Sequence, residues 1–142
     1  MAMAASDKRI DEHWSSFAEL AEDYRRKRIV IGVDRAFARR WLLLGGRRSP
    51  TFGRLVGISV GVLAAISLGY AAYALYAGSY VAAILLLIVV FLSWKLILQL
   101  AVAHARSAAI SDEELLRSWF HERRLSILIK ESGEIVWNDV DT

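Results

Sequence analysis

The sequence predicts a membrane α-helical protein: a two-span antiparallel transmembrane hairpin, with amphipathic helices before it and a small helix plus β-hairpin after it. Three observations predict this. The chain is 56% apolar yet 23% charged, with a mean hydropathy of +0.36, so its apolar residues are segregated rather than interspersed. From Leu55 to Ala103 the single charged residue is Lys95. That apolar stretch is interrupted by only one short turn, Ala77-Gly78-Ser79.

The N-terminal region, 1–48, carries no apolar run of the signal-peptide kind. Ile10, Trp14, Phe17, Ala21 and Tyr24 recur at three or four, with acids on the other faces, which predicts one amphipathic helix of about five turns. Ile29–Val33 (IVIGV) fits either a strand or a helix. Asp34 is placed to cap a second helix with Phe37, Trp41, Leu42 and Leu44 on one side and Arg35, Arg39 and Arg40 elsewhere. A basic amphipathic helix with tryptophan beside a span reads as interfacial. Gly45-Gly46 ends it, and Pro50 opens the next helix.

The hairpin occupies 52–103. Crossing roughly 30 Å of hydrocarbon takes about 20 apolar residues, and both 55–76 and 80–103 are long enough. A buried hairpin of this length in a soluble domain would need a larger chain to cover it than 142 residues. Ten basic residues between Arg25 and Arg54, against Asp34 alone, flank the first span, while the tip is uncharged. Both termini are therefore expected in the cytoplasm. Tyr70, Tyr73, Tyr76 and Tyr80 gather near the tip as an aromatic belt. Arg35, Arg39, Arg40, Arg47, Arg48, Arg54 and Trp41 are assigned to anionic headgroups and topology, in preference to nucleic acid.

Two features of the spans break the uniform pattern. Gly53, Gly57, Gly61, Ala65 and Gly69 recur every four residues, a groove of small side chains for helix packing. Its partner is the second span or a helix of another subunit. Lys95 and Gln99 place polar groups inside the second span. Such residues mark a partner contact or, with Trp94 alongside, a lysine snorkelling to the headgroups from a helix that continues to about Ala109.

In the C-terminal region, 104–142, Ser111 with Glu114 reads as a capping box ahead of a helix through Leu115, Leu116, Trp119 and Phe120. Leu125–Lys130 and Glu134–Val140 then form a β-hairpin with Gly133 in the turn. Two strands are marginal alone, so they lean on the helices, pair with IVIGV, or add to a partner. Trp119, Phe120, Ile127, Ile129 and Trp137 are the docking candidates.

Cysteine is absent, which excludes thiolate chemistry, and His13, His104 and His121 lack metal-ligand spacing. No cofactor is implied and no catalytic residues are assigned. The expectation is a non-catalytic accessory or assembly subunit of a bacterial inner-membrane complex, partnered by anionic lipid and by other subunits or copies of itself. The rivals are a self-assembling, holin-like or toxin-like permeabilising protein and a small membrane immunity protein.

Overall fold

A computed structural model describes residues 9–46 and 49–137. The elements in chain order are α1 (Phe17–Arg25), β1 (Ile29–Val33), α2 (Arg35–Leu44), α3 (Thr51–Tyr76), α4 (Tyr80–Ser111), α5 (Glu113–His121), β2 (Leu125–Ile129) and β3 (Ile135–Val136). They form two units. One combines residues 1–37 with 105–142, and the other is 38–104. The N-terminal flank up to Phe37 and the C-terminal flank from Ala105, expected as separate regions, therefore belong to one unit, while the rest of the N-terminal flank goes with the long helices.

That unit is built on a three-stranded antiparallel sheet of order β1-β2-β3. IVIGV is a strand, and it supplies the third strand that the hairpin needed. Ile29, Ile31, Leu125, Ile127 and Val136 bury one face of the sheet, joined by Leu20, Leu116, Trp119 and Phe120. The other face carries Val30, Gly32, Ser126 and Leu128, all half-buried, and the exposed Ile135.

Adding 96 to each residue number maps the first half of this unit onto the second. The N-caps are Ser16 and Asp112, and the helices 17–25 and 113–121 have equal length. Lys27 and Arg123 both adopt φ 57°. Arg28 N–H closes onto Asp23 O at 2.9 Å as Arg124 N–H closes onto Trp119 O at 2.9 Å. Ile31 and Ile127, equivalent under this shift, pair directly. The flanking bonds Asp34 N–H to Arg124 O and Lys130 N–H to Arg28 O, each 2.9 Å, are equivalent too. The unit therefore has a pseudo-twofold axis through the Ile31–Ile127 pair. From the N-caps to the strand ends only Leu20/Leu116, Arg28/Arg124 and Ile31/Ile127 are identical, with Ser15/Ser111 just before them, so the sequence hides it.

Three local expectations are corrected. The five-turn N-terminal helix is broken. Residues 9–13 are helical, and Ser16 then starts α1 by accepting Glu19 N–H at 3.3 Å. Glu19 reaches back to Ser15 N–H at 2.9 Å and Ser15 Oγ at 2.7 Å. This is a capping arrangement of Ser followed by Glu three residues on, and it outcompetes continuous helix because it satisfies the first orphan amides. At the other end Asp112, not Ser111, caps α5, accepting Glu114 N–H at 3.1 Å. Ser111 closes α4 instead, its hydroxyl donating to Ser107 O at 2.7 Å. The last strand is only Ile135–Val136, and residues 138–140 lie outside the described part. Asp34 does cap α2, accepting Ala36 N–H at 3.0 Å.

In the second unit α3 and α4 are both long and apolar enough to cross a membrane. Gly78, at φ 77°, makes the turn between them. Val60, Gly61, Ala64, Ser67, Ala71 and Ala74 are the covered or half-covered positions of α3 beyond Gly57. Ala83, Leu86, Val90, Ser93, Ile97 and Ala101 are among those of α4. Alternating steps of three and four keep a seam straight between two helices.

Left-handed backbone at Lys27 and Arg123 costs about 1 kcal/mol and is least tolerable for a β-branched side chain. Lys27→Val and Arg123→Val should each destabilise the sheet unit by about 1–2 kcal/mol, whereas the glycine variants should not. Amide exchange at Val30 and Ser126, equivalent under the repeat and both facing into the β1–β2 ladder, reads both, and the two sites should respond alike.

Candidate functional site

The feature that organises the helical hairpin is where the glycine ladder goes. Gly53 and Gly57 are buried. A Cβ at Gly53 would come to 2.9 Å from His104 Nε2, and one at Gly57 to 3.0 Å from Leu43 Cδ2. Further along, Ala65 and Gly69 are exposed, and a Cβ at Gly61 or Gly69 would meet nothing within 4 Å. The reason is helical pitch. Each step of four overshoots a turn by about 40°, so a strict four-residue row winds off a seam that advances by three and four. The first half of the ladder serves packing within the chain. Gly69, at the far end, opens onto an apolar hollow of about 330 Å³ that it lines with Ile66, Tyr70 and Tyr73.

The polar residues of α4 also face outward. Lys95 and Gln99 are exposed, one turn apart on the same side, while Ser93 takes the buried position. Trp94 is held under the Arg39 guanidinium, 4.5 Å from the ring centroid. Helix α2 reaches the hairpin at Leu43 beside Gly57, which is 19 residues before Tyr76, or roughly 28 Å from the turn.

Of the headgroup candidates, Arg35 and Arg40 are exposed and Arg39 and Arg54 half-buried. Trp41 departs from its expected place. It is 6% exposed and packs against Gly46, so it is a core residue rather than an interfacial one. Arg47 and Arg48 lie outside the described residues. Leu44 and Phe52, at 80% and 78% exposed, are the apolar side chains laid open at this end.

In the sheet unit the docking candidates divide. Trp119, Phe120 and Ile127 are buried, with Phe37 edge-on to Trp119 at 5.1 Å, which makes them packing residues. Ile129 is half-buried and Trp137 exposed. Trp137 borders a cleft of about 470 Å³ with Gly32, Val33, Asp34, Arg123, Arg124, Leu125 and Ser126. Arg124 lies over the Phe37 ring at 5.3 Å and faces Asp34 Oδ2 at 3.7 Å, and its Nε is buried without a hydrogen-bond partner. Sequence reasoning missed this cleft because Asp34 and Arg124 are joined only by strand pairing. Among the described residues no group of three or more His, Asp or Glu side chains is placed to hold a metal.

Comparison with protein-family models, curated proteins and solved structures gives no match. The reading rests on the geometry alone.

Two outcomes follow. Ser67→Leu should overfill the seam and loosen the hairpin by about 1–3 kcal/mol, while Gly69→Leu should leave hairpin stability in detergent unchanged. Equal loss in both would contradict the assignment of the open face. At the other unit, the Ser15 hydroxyl and then its N–H hold the Glu19 carboxylate below the usual range. That contribution is present above the unfolded carboxylate pKa and is lost as pH falls through the lower, folded one. Amide protection at the start of α1 should fall with acidification in that window, and Glu19→Gln should remove the dependence.

Proposed function

We propose that the chain is a non-catalytic accessory or assembly subunit of a membrane protein complex, residing in the bacterial inner membrane with both polar ends in the cytoplasm. The observation that carries the reading is the outward surface of α3 and α4. Only 17% of each helix's most apolar stretch is buried, and Leu63, Ile66, Ile84, Leu85, Ile88 and Phe91 stand open. Water tolerates no exposed apolar area of this extent on a monomer, so lipid or partner helices must cover it.

The position of α2 supports the same setting. A basic helix meeting the hairpin roughly 28 Å from its tip sits where the headgroups begin, given a hydrocarbon core of about 30 Å. Arg39 on Trp94 then marks α4 near that level. Lys95 follows immediately and needs only its own stem to reach the headgroups, which favours snorkelling over a buried partner. The open stretch Gly61-Ala65-Gly69 is where another helix would approach closely, since lipid supplies no hydrophobic drive for helix association and small residues permit dispersion contact. The alternative, a self-assembling permeabilising protein, would have to gather Lys95 and Gln99 from several copies around one lumen.

Gentle detergent extraction from the native host, followed by mass spectrometry, tests this. Stoichiometric membrane partners that are lost in Gly61→Leu/Gly69→Leu, with the hairpin still folded, are the expected result. Recovery of homo-oligomers alone, with dye leakage from reconstituted vesicles, would replace the subunit reading with the pore former.

A further inference from the structure

We propose that the cleft beside Trp137 binds a small planar aromatic carboxylate, its ring over the Gly32–Ser126 floor against the indole and its acid group on Arg124. The inference concerns the sheet unit alone and holds whether or not the helices cross a membrane.

The repeat is an internal control, because it carries the Arg124 end of the sheet onto the Arg28 end. Each arginine faces one carboxylate, Asp23 at 3.6 Å from Arg28 and Asp34 at 3.7 Å from Arg124. At the Arg28 end the space is filled. Trp14 is buried there and donates from Nε1 to Asp23 Oδ2 at 3.1 Å. The hollow that remains beside it, bordered by Arg28, Ile29 and Ile129, holds about 160 Å³. At the Arg124 end Trp14 and Asp23 are replaced by Ile110 and Trp119, and the cleft holds about 470 Å³. That is the size of a small-molecule site, about 300–1,000 Å³.

The floor and the charge say what fits. In the β1–β2 register Gly32 pairs with Ser126 and Val30 with Leu128. The repeat equates Gly32 with Leu128 and Ser126 with Val30, so one row has lost the two apolar side chains that the other keeps. Only a hydroxyl stands in the emptied row, with Ser126 Oγ 2.6 Å from where a Gly32 Cβ would be. Such a floor lets a flat ring approach the backbone, and Trp137, 54% exposed beside it, offers a face for stacking. Arg123 and Arg124 against Asp34 leave the lining one net positive charge, which suits a monoanion. Asp34 Oδ1 is taken by Ala36 N–H at 3.0 Å, and its Oδ2 stops beyond hydrogen-bond length from Arg124. Arg124 Nε is buried without an acceptor among the described residues. A carboxylate supplies what this guanidinium lacks.

Naphthoate and its neutral amide, naphthamide, are titrated into the isotope-labelled full chain in lipid nanodiscs, with amide shifts read at Val33 and Leu125, which line the cleft. Naphthoate should give saturable shifts, and naphthamide should bind about tenfold more weakly. Trp137→Ala, at an exposed side chain, should weaken naphthoate about tenfold. Arg124→Gln should leave acid and amide equal. Gly32→Leu/Ser126→Val, which installs the pair the other half already packs, should abolish saturation. Amide protection at Val30 reports that the sheet stays folded in each variant. No saturable shift at millimolar naphthoate, an equal response to the amide in the unsubstituted chain, or binding unchanged by Trp137→Ala or by the filled floor would each overturn the proposal.

Discussion

The three-residue turn at Ala77-Gly78-Ser79 is the constraint on which the rest depends. Two helices of 26 and 32 residues joined so tightly can only run back along one another. The chain therefore returns to its starting level, and Gly53 comes beside His104. Residues on the two flanks, 96 apart in sequence, can then enter one sheet. Closing so long a loop is entropically costly for a flexible chain, but a rigid hairpin has already met that cost.

Within that frame the two units use opposite economies. The helical hairpin buries little, and what it buries is a narrow seam of alanine, serine and glycine against valine and isoleucine. The sheet unit is small, yet it buries Trp119, Phe120, Leu20, Ile31 and Ile127 almost completely. Its pseudo-twofold repeat explains how so short a sequence closes a core. The same helix, left-handed turn and strand is used twice, and the two copies bury each other. The symmetry is broken where β1 runs on into α2 and β2 into β3.

Much of this was legible in the sequence. The two long apolar helices, their turn, the Asp34 cap and Gly133 in its turn (φ 70°) follow from apolar length and local chemistry. What escaped did so for identifiable reasons. The break at Ser16 was written as Ser with Glu three residues on, but the apolar spacing ran straight through it. Ser111 and Asp112 both suit a cap, and only the backbone decides between them. The glycine ladder was visible, but its departure from the seam follows from pitch accumulated over sixteen residues, which spacing alone does not display. Among the docking candidates Trp119 and Phe120 are buried while Trp137 is exposed, a division the sequence does not display because a buried core residue and an exposed anchor look identical in one dimension. The repeat escaped because it is carried by lengths, caps and φ angles.

The central proposal is that α3 and α4 cross the membrane as a hairpin whose tip lies on the opposite side from both polar flanks. The absence of native cysteine allows single thiols at Ser79, Ser49 and Glu131 to be probed in sealed inside-out and right-side-out vesicles with an impermeant maleimide. The account predicts that Ser79→Cys is modified only from the periplasmic side, and Ser49→Cys and Glu131→Cys only from the cytoplasmic side. Modification of all three from one side, or recovery of the chain free of vesicles, would contradict it.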